Sequence, residues 1–288
     1  MNNHVKSGTK QALLGKSVLP DNFPTDRCRA SVIKKGLHMA KTLAGKVVLI
    51  TGGSRGLGAA MAEAFADKGA DVAISYVSSP EKAEAVTGKL KAKGVRALAI
   101  KSDQADLAAA SSLVETVFAH FGKLDILVNN AAVGVQGQSI DDPDLDTAAL
   151  DRMWHINVHG TVAVTRAAAR RLTDGGRIIF IGSMGATRVP FPGYTDYSGT
   201  KAALLGYSKG VGRDLGPRNI TSNVVQPGMM MTDMLAGLVN LPDTVLDLHA
   251  IRRAAELEEV AAAVTFLAGP DAGYITGGVI DVSGGFQI

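Results

Sequence analysis

Hydrophobic positions along this chain fall into two alternating kinds of stretch. Short apolar runs stand at 47–50, 72–75, 97–100, 126–128, 178–181, 221–225 and 279–282. Between them lie longer stretches rich in Ala, Leu, Lys and Glu with helical periodicity, at about 57–69, 80–93, 106–121, 147–172, 195–215 and 255–267. Runs such as Val47-Val48-Leu49-Ile50 carry no polar alternation, so both faces of those strands should be covered. Strands and helices alternating in this way predict an α/β fold: a single Rossmann-type, doubly wound parallel sheet of about seven strands with helices on both faces. No second series, linker or internal repeat follows, so one folded domain is expected over 44–288. Residues 1–43 show no clean period and mix Pro20, Pro24, Gly8 and Gly15 with scattered charge. They are read as a poorly ordered extension, with organelle targeting as the alternative that their basic character raises.

Charge changes the picture only at that extension. The whole chain carries a formal +3, but residues 1–38 alone contribute +5, which leaves −2 for the rest. A body of that charge is no nucleic-acid binder. Cys28 is the only cysteine, which excludes an internal disulfide and fits a reducing cytoplasm. No apolar run approaches the roughly 20 residues that cross a bilayer, and no apolar signal core follows the start, so neither a membrane nor a secretory route is expected.

The first strand runs through Thr51-Gly52-Gly53-Ser54-Arg55-Gly56-Leu57-Gly58 straight into a helix. A dinucleotide pyrophosphate needs bare backbone to approach and free helix N–H groups aimed at it, and glycines at such a turn supply both. The spacing is G-x-x-x-G-x-G rather than G-x-G-x-x-G, and a purely structural turn is the competing reading. No Gly-Lys-Ser/Thr follows, which excludes an ATP-binding P-loop.

Tyr197-Ser198-Gly199-Thr200-Lys201 lies on a helical stretch, where a spacing of four puts phenol and ammonium on one face. A free tyrosine is a poor base at neutral pH, and a neighbouring cation favours its phenolate. That is the tuning general acid/base chemistry needs. Ser183 follows the run 178–181, at the strand edge a doubly wound sheet presents to ligands, and its hydroxyl can bond a substrate oxygen. Asn129-Asn130-Ala131-Ala132 ends another strand, and Asn157 lies within a helix.

Over about 44–288 the sequence resembles the short-chain dehydrogenase/reductase family. The motifs that carry the resemblance are Thr51-Gly52-x-x-x-Gly56-x-Gly58, Asn129-Asn130-Ala131, Asn157, Ser183, Tyr197-x-x-x-Lys201 and Pro227-Gly228. Asn-Asn-Ala-Ala stands where Asn-Asn-Ala-Gly is usual, which adds one methyl at Ala132. The resemblance implies a nicotinamide-dependent oxidoreductase acting on a small-molecule carbonyl or alcohol. Tyr197 would be its acid/base. Lys201 would hold the nicotinamide ribose and lower the Tyr197 pKa, and Ser183 would polarise the substrate oxygen. Asn157 would anchor a water linking Lys201 to solvent. It further implies cofactor contacts from Gly52, Ser54, Arg55, Gly56, Leu57, Gly58, Asp103, Gln104, Asn130 and Ala131. A segment carrying Pro227, Gly228 and Thr232 would close over the nicotinamide.

NAD is usually selected by an acid about 20 residues beyond the glycine turn. Here the second strand ends in Tyr76, and Asp71 stands at its other end. With Arg55, Ser54 and Ser78 available to a 2′-phosphate, NADP(H) is favoured and NAD(H) is the alternative. Within the family the chain most resembles reductases of 3-oxoacyl groups on acyl carrier protein. Arg218 resembles one carrier-docking arginine, whereas the other has no counterpart in Asp174-Gly175-Gly176-Arg177. A catalytically idle dinucleotide-binding sensor is the competing class.

Three features weigh differently. His155 and His159 have metal-pair spacing, but with no third ligand evident packing is preferred and no metal is expected. Met229, Met230, Met231 and Met234 are either an apolar lid or ordinary packing. A homotetramer is expected from small apolar positions on outer helix faces (Ala163, Ala167, Ala169, Leu204, Val211), with Phe286 and Ile288 as anchors of a second interface.

Overall fold

A computed structural model describes residues 1, 41–232 and 243–288. The readings of residues 2–40 and of Met234 lie outside the described residues. Seven strands form one sheet: β1 (Val47–Ile50), β2 (Asp71–Tyr76), β3 (Ala97–Lys101), β4 (Leu124–Asn129), β5 (Leu172–Ile181), β6 (Thr221–Pro227) and β7 (Val279–Val282). The helices are α1 (Gly56–Asp67), α2 (Pro80–Ala92), α3 (Ala109–Phe121), α4 (Thr147–Trp154), α5 (Thr161–Ala169), α6 (Thr195–Leu215), α7 (Asp243–Leu246) and α8 (Leu257–Ala268). A π-helical turn, His155–Gly160, joins α4 to α5 without a break.

All strand pairs are parallel, in the order β3-β2-β1-β4-β5-β6-β7. The order reverses between β1 and β4, and the connections there leave toward opposite faces. A crevice therefore opens beyond the carboxyl ends of these two strands, where doubly wound sheets hold ligands.

Successive strand residues feed two cores. Val48 and Ile50 of β1 pack with Met61 and Phe65 of α1, Leu90 of α2 and Val260 and Val264 of α8. Val47 and Leu49 pack on the other side with Leu113 and Val117 of α3, Val164 of α5 and Leu204 of α6. All four β1 side chains are buried, which explains the unbroken apolar run. Phe65 is fully buried beneath this layer, and truncating it to Ala should cost about 3–5 kcal/mol.

Four expectations need correction. The folded body begins before residue 44: Leu43 is buried and its N–H bonds Lys68 O at 2.9 Å. The helix expected over 147–172 ends at Ala169, and β5 begins at Leu172 rather than 178. Arg171 N–H closes that helix end on Ala168 O, and positive-φ Gly175 carries the irregular start of β5. Pairing shifts there from Leu124–Leu172 to Ile126–Arg177. Leu204 and Val211, seven apart on α6, share its inner face and are buried in their own core, so they cannot cover a neighbour. Phe286 is likewise buried within its own chain, which leaves Ile288 as the exposed member of that pair.

Candidate active site

The glycine turn has its form because side chains would not fit. Gly52 and Gly56 have φ of +67° and +51°, which disfavour side chains. A Cβ at Gly58 would lie 2.3 Å from Gly52 O and 2.8 Å from Asn130 Nδ2. Asn130 locks the turn from β4: its Nδ2 donates to Thr51 O at 2.8 Å and Gly52 O at 3.1 Å. Arg55 is the N-cap of α1 and makes no side-chain cap, so the first-turn N–H groups of α1 stay open to an anion. This bare cradle at a helix N-terminus fits a dinucleotide pyrophosphate.

The turn forms one end of a cleft of about 670 Å³. Gly52, Ser54, Arg55, Gly56, Leu57 and Gly58 line it from the β1 side; Tyr76 ends β2 and Ser78 follows it, and Asp103 and Gln104 follow β3. Asn130, Ala131, Ser183, Tyr197, Lys201, Pro227, Gly228 and Thr232 complete the sequence-predicted set. Among the described residues, β2 ends in Tyr76 rather than in a carboxylate that would compete with a 2′-phosphate. Asp71 sits at the opposite end of β2, where its carboxylate takes Arg96 Nε at 2.9 Å and Arg96 N at 2.7 Å. The strap after β6 crosses the cleft toward the glycine turn: a Cβ at Gly56 would lie 3.9 Å from Thr232 Cγ2.

Ser183, Tyr197 and Lys201 converge at the other end. Lys201 is buried, donates to Ile181 O at 3.0 Å, and has its ammonium 6.0 Å from the centre of the Tyr197 ring. Burial lowers its pKa to about 8. Burial likewise pushes the Tyr197 phenol above its ordinary value, opposed by a hydrogen bond with Ser183 and reinforced by the Tyr194 phenol. Ser183 Oγ also accepts Gly185 N–H at 3.1 Å, fixing the hydroxyl on its turn.

Asn157 is the one predicted catalytic residue that does not line the cleft. It lies behind the wall, buried on the π turn. Oδ1 accepts Val133 N–H at 2.9 Å, while Nδ2 donates to Val133 O at 2.9 Å and Thr200 Oγ1 at 3.2 Å. Thr200 Oγ1 in turn donates to Tyr197 O, so Asn157 braces the cleft wall against the helix of Tyr197.

Other predicted features are spent elsewhere. His155 Nε2 meets Ala105 O at 2.9 Å, and its ring packs on His159. Arg218 bonds Asp174 Oδ1 and Ala169 O, each at 2.8 Å, and also Leu172 O, so its guanidinium caps the end of α5. Of the methionines, Met229 is buried, Met230 lines the cleft and Met231 is exposed.

The cleft also takes residues that sequence reasoning missed. Val77, Ser79, Ser102 and Gly182 follow the carboxyl ends of β2, β3 and β5, so the strand-end rule could have found them. Arg152 and Ile156, one turn apart before Asn157, carried no such signal.

The model of a family described as enoyl-(acyl carrier protein) reductase matches residues 52–287. A cyclic-di-GMP-binding biofilm dispersal mediator protein of Escherichia coli (strain K12) is 41% identical, covering 84% of this chain and 97% of its own. Versicolorin reductase 1 of Aspergillus parasiticus is 36% identical, covering 84% and 97%. The crystal structure of a short chain dehydrogenase from Burkholderia cenocepacia J2315 in complex with NADP superposes with a TM-score of 0.80 at 43% identity, over 86% of this chain and all of that one. With its seven-stranded parallel sheet, glycine turn and Ser183–Tyr197–Lys201 cluster, the chain belongs to the short-chain dehydrogenase/reductase family of oxidoreductases.

Proposed function

We propose that the protein is an NADP(H)-dependent carbonyl reductase. One observation carries the reading: Ser183, Tyr197 and Lys201 line the same cleft as the glycine turn. The NADP held by the Burkholderia relative supports the cofactor choice, as do Arg55, Ser54 and Ser78 around the end of β2, where Tyr76 stands in place of an acid. A nicotinamide supplies the hydride that converts the carbonyl carbon to a secondary alcohol.

The chain's own groups do the rest. Ser183 holds the carbonyl oxygen, and Tyr197 gives it a proton as negative charge develops there. Burial keeps Tyr197 protonated at neutral pH, which suits an acid and favours the reductive direction. The Lys201 ammonium would hold the nicotinamide ribose, and would lower the phenol pKa once it leaves Ile181 O. With the Asn157 side chain committed to Val133 and Thr200, any proton relay there would run past its main chain.

The substrate side suits an apolar, flat ketone. Phe191, Tyr194 and Tyr197 form an aromatic row, with ring centres 6.2 and 6.3 Å apart, running out from the acid. The name of the Aspergillus relative, a versicolorin reductase, supports the reductase reading. Arg218 is spent inside the chain, so a 3-oxoacyl group presented by a carrier protein is the weaker candidate. An idle nucleotide sensor, which the name of the Escherichia coli relative raises, has no use for the complete acid cluster.

A panel of ketones and alcohols, followed at the NADPH absorbance band, tests the reading. Aromatic ketones should be reduced faster than 3-oxoacyl thioesters. Binding of NADPH with no turnover of any compound would favour the sensor.

A further inference from the structure

Residues 183–188 present the Ser183 hydroxyl, yet their own bonds are local: Gly185 N–H to Ser183 Oγ, and Ala186 N–H to Ser183 O at 3.0 Å. Gln226 Nε2 of β6 donates to Thr187 Oγ1 at 3.4 Å, and the other side-chain ties between this turn and the body come from the segment after β7. Gln287 Nε2 donates to Met184 O at 2.8 Å. Arg188 donates to the main-chain oxygens of Phe286 and Ile288, and its guanidinium lies 5.0 Å from the centre of the Phe286 ring. Phe286 is fully buried and packs against His249, ring centres 5.3 Å apart.

The end of β7 and the segment after it reach two further parts of the chain. Ile251 N–H bonds Gly284 O at 2.8 Å, and Gly228 N–H, in the strap, bonds Val282 O at 2.9 Å. Gly284 and Gly285, at φ +61° and +81°, bend it into place, and a Cβ at Gly285 would come within 2.7 Å of Ala250 Cβ. The Ser183 turn and residues 249–251 thus converge on one short stretch just beyond the strap's anchor on β7, and Arg188 holds that stretch by charge-assisted bonds and by stacking on the Phe286 ring.

We propose that Arg188 is a positioning residue: through residues 284–288 it fixes the Ser183 turn and so sets the Ser183 hydroxyl toward Tyr197. The proposal rests on the carbonyl-reductase reading. Arg188 makes none of the contacts of the glycine turn, so cofactor binding should be spared when it is changed. The groups facing Tyr197 are Ser183 from this turn and Tyr194 and Lys201 from its own helix and its start. Of these, only Ser183 depends on Arg188. Its hydrogen bond opposes the upward push of burial on the phenol, so a loosened turn lets Tyr197 hold its proton more tightly.

The test compares Arg188→Ala, Arg188→Lys and Gln287→Ala with wild type. Arg188→Ala should lower kcat by about tenfold or more while NADPH Kd stays within about twofold. The alkaline rise of alcohol oxidation should move to higher pH. Arg188→Lys, which keeps the charge without the fork, should fall between, and Gln287→Ala should shift both readouts less. An unchanged kcat and pH midpoint in Arg188→Ala overturns the proposal. So does loss of NADPH affinity and melting temperature in step with kcat, which marks general loosening. If wild type turns over no substrate, the reductase reading fails and hydrogen exchange decides this one. Faster exchange at Gly185 and Ile251 of Arg188→Ala, with Gly53 unchanged, supports the clamp, and unchanged exchange at Gly185 overturns it.

Discussion

The two ends of the cleft are built on different principles. At the cofactor end the constraint is backbone: Gly58 packs against Gly52 O, Asn130 stitches two carbonyls, and α1 leaves its first N–H groups open. At the substrate end the constraint is side chains gathered from distant segments. Ser183 stands on a turn held by residues 284–288, Tyr197 sits on α6, and Asn157 braces the wall from a π turn. The first end can hardly vary without breaking. The second can exchange its lining while keeping one acid in place, which is how one fold serves many substrates.

Tyr197→Phe separates the two ends most sharply. It removes the proton donor and keeps the ring, so turnover should fall by roughly 10²–10⁴-fold while NADPH affinity barely moves. Steady-state kinetics with a fluorescence titration of NADPH measures both. Turnover close to wild type would remove Tyr197 from the acid role and leave the substrate end without a chemical centre.

Gly58→Val attacks the other end. Its Cβ would sit 2.3 Å from Gly52 O, so the turn must open and the cradle is lost. NADPH affinity should drop by about two orders of magnitude, as several charge-assisted bonds go together. The melting temperature should fall much less, because the main cores lie beneath the sheet faces. Unaltered NADPH affinity would show that the pyrophosphate does not lie on this turn.

That contrast also explains what could be read in the sequence. Gly52, Gly56 and Gly58 were legible because only glycine satisfies the φ values and the close approach. The strands were legible because a parallel sheet covered on both faces needs unbroken apolar runs. Arg152 was not: an arginine on a helix has no signature until the opposite wall is known. The inward phase of Leu204 and Val211 was hidden for a related reason, since α6 spaces small and apolar residues on several faces. Phe286 read as an interface anchor because nothing nearby in sequence announces Arg188 and His249, its partners across the fold.

Lys201 joins the two ends and allows a test through pH. Its folded pKa is about 8 against an ordinary 10.5, because burial penalises the ammonium. Between those values the unfolded chain binds one proton more than the folded one at this site, so folding stability gains as pH rises. Below pH 8 both states are protonated and the full cost of the buried charge remains. Lys201→Met should therefore be stabilised relative to wild type at neutral pH. That advantage should shrink by up to about 1.4 kcal/mol per pH unit from pH 8 to 10.5. Chemical denaturation of both proteins over that range isolates the site, since other titrations cancel. A constant difference would mean that Lys201 is not desolvated, and the cofactor and substrate ends would then not share a buried charge.

The smallest expected effect lies at the cofactor end, where a side chain rather than backbone makes the choice. Arg55 is exposed beside the end of β2, where Tyr76 stands in place of an acid. A 2′-phosphate there would gain a charge-assisted bond, and an exposed one is weakened by solvent and salt. Arg55→Ala should narrow the preference for NADPH over NADH by only about tenfold, while NADH affinity is nearly unchanged. Raising the salt concentration should shrink the wild-type preference and leave that of Arg55→Ala almost flat, because the screened partner is already gone. Ser54, Ser78 and Ser79 line the same corner and would keep part of the preference through hydroxyls that salt does not screen. If Arg55→Ala lost NADH and NADPH affinity equally, Arg55 would belong to the rigid cradle, and the division between backbone and side-chain control would run elsewhere than between the two ends.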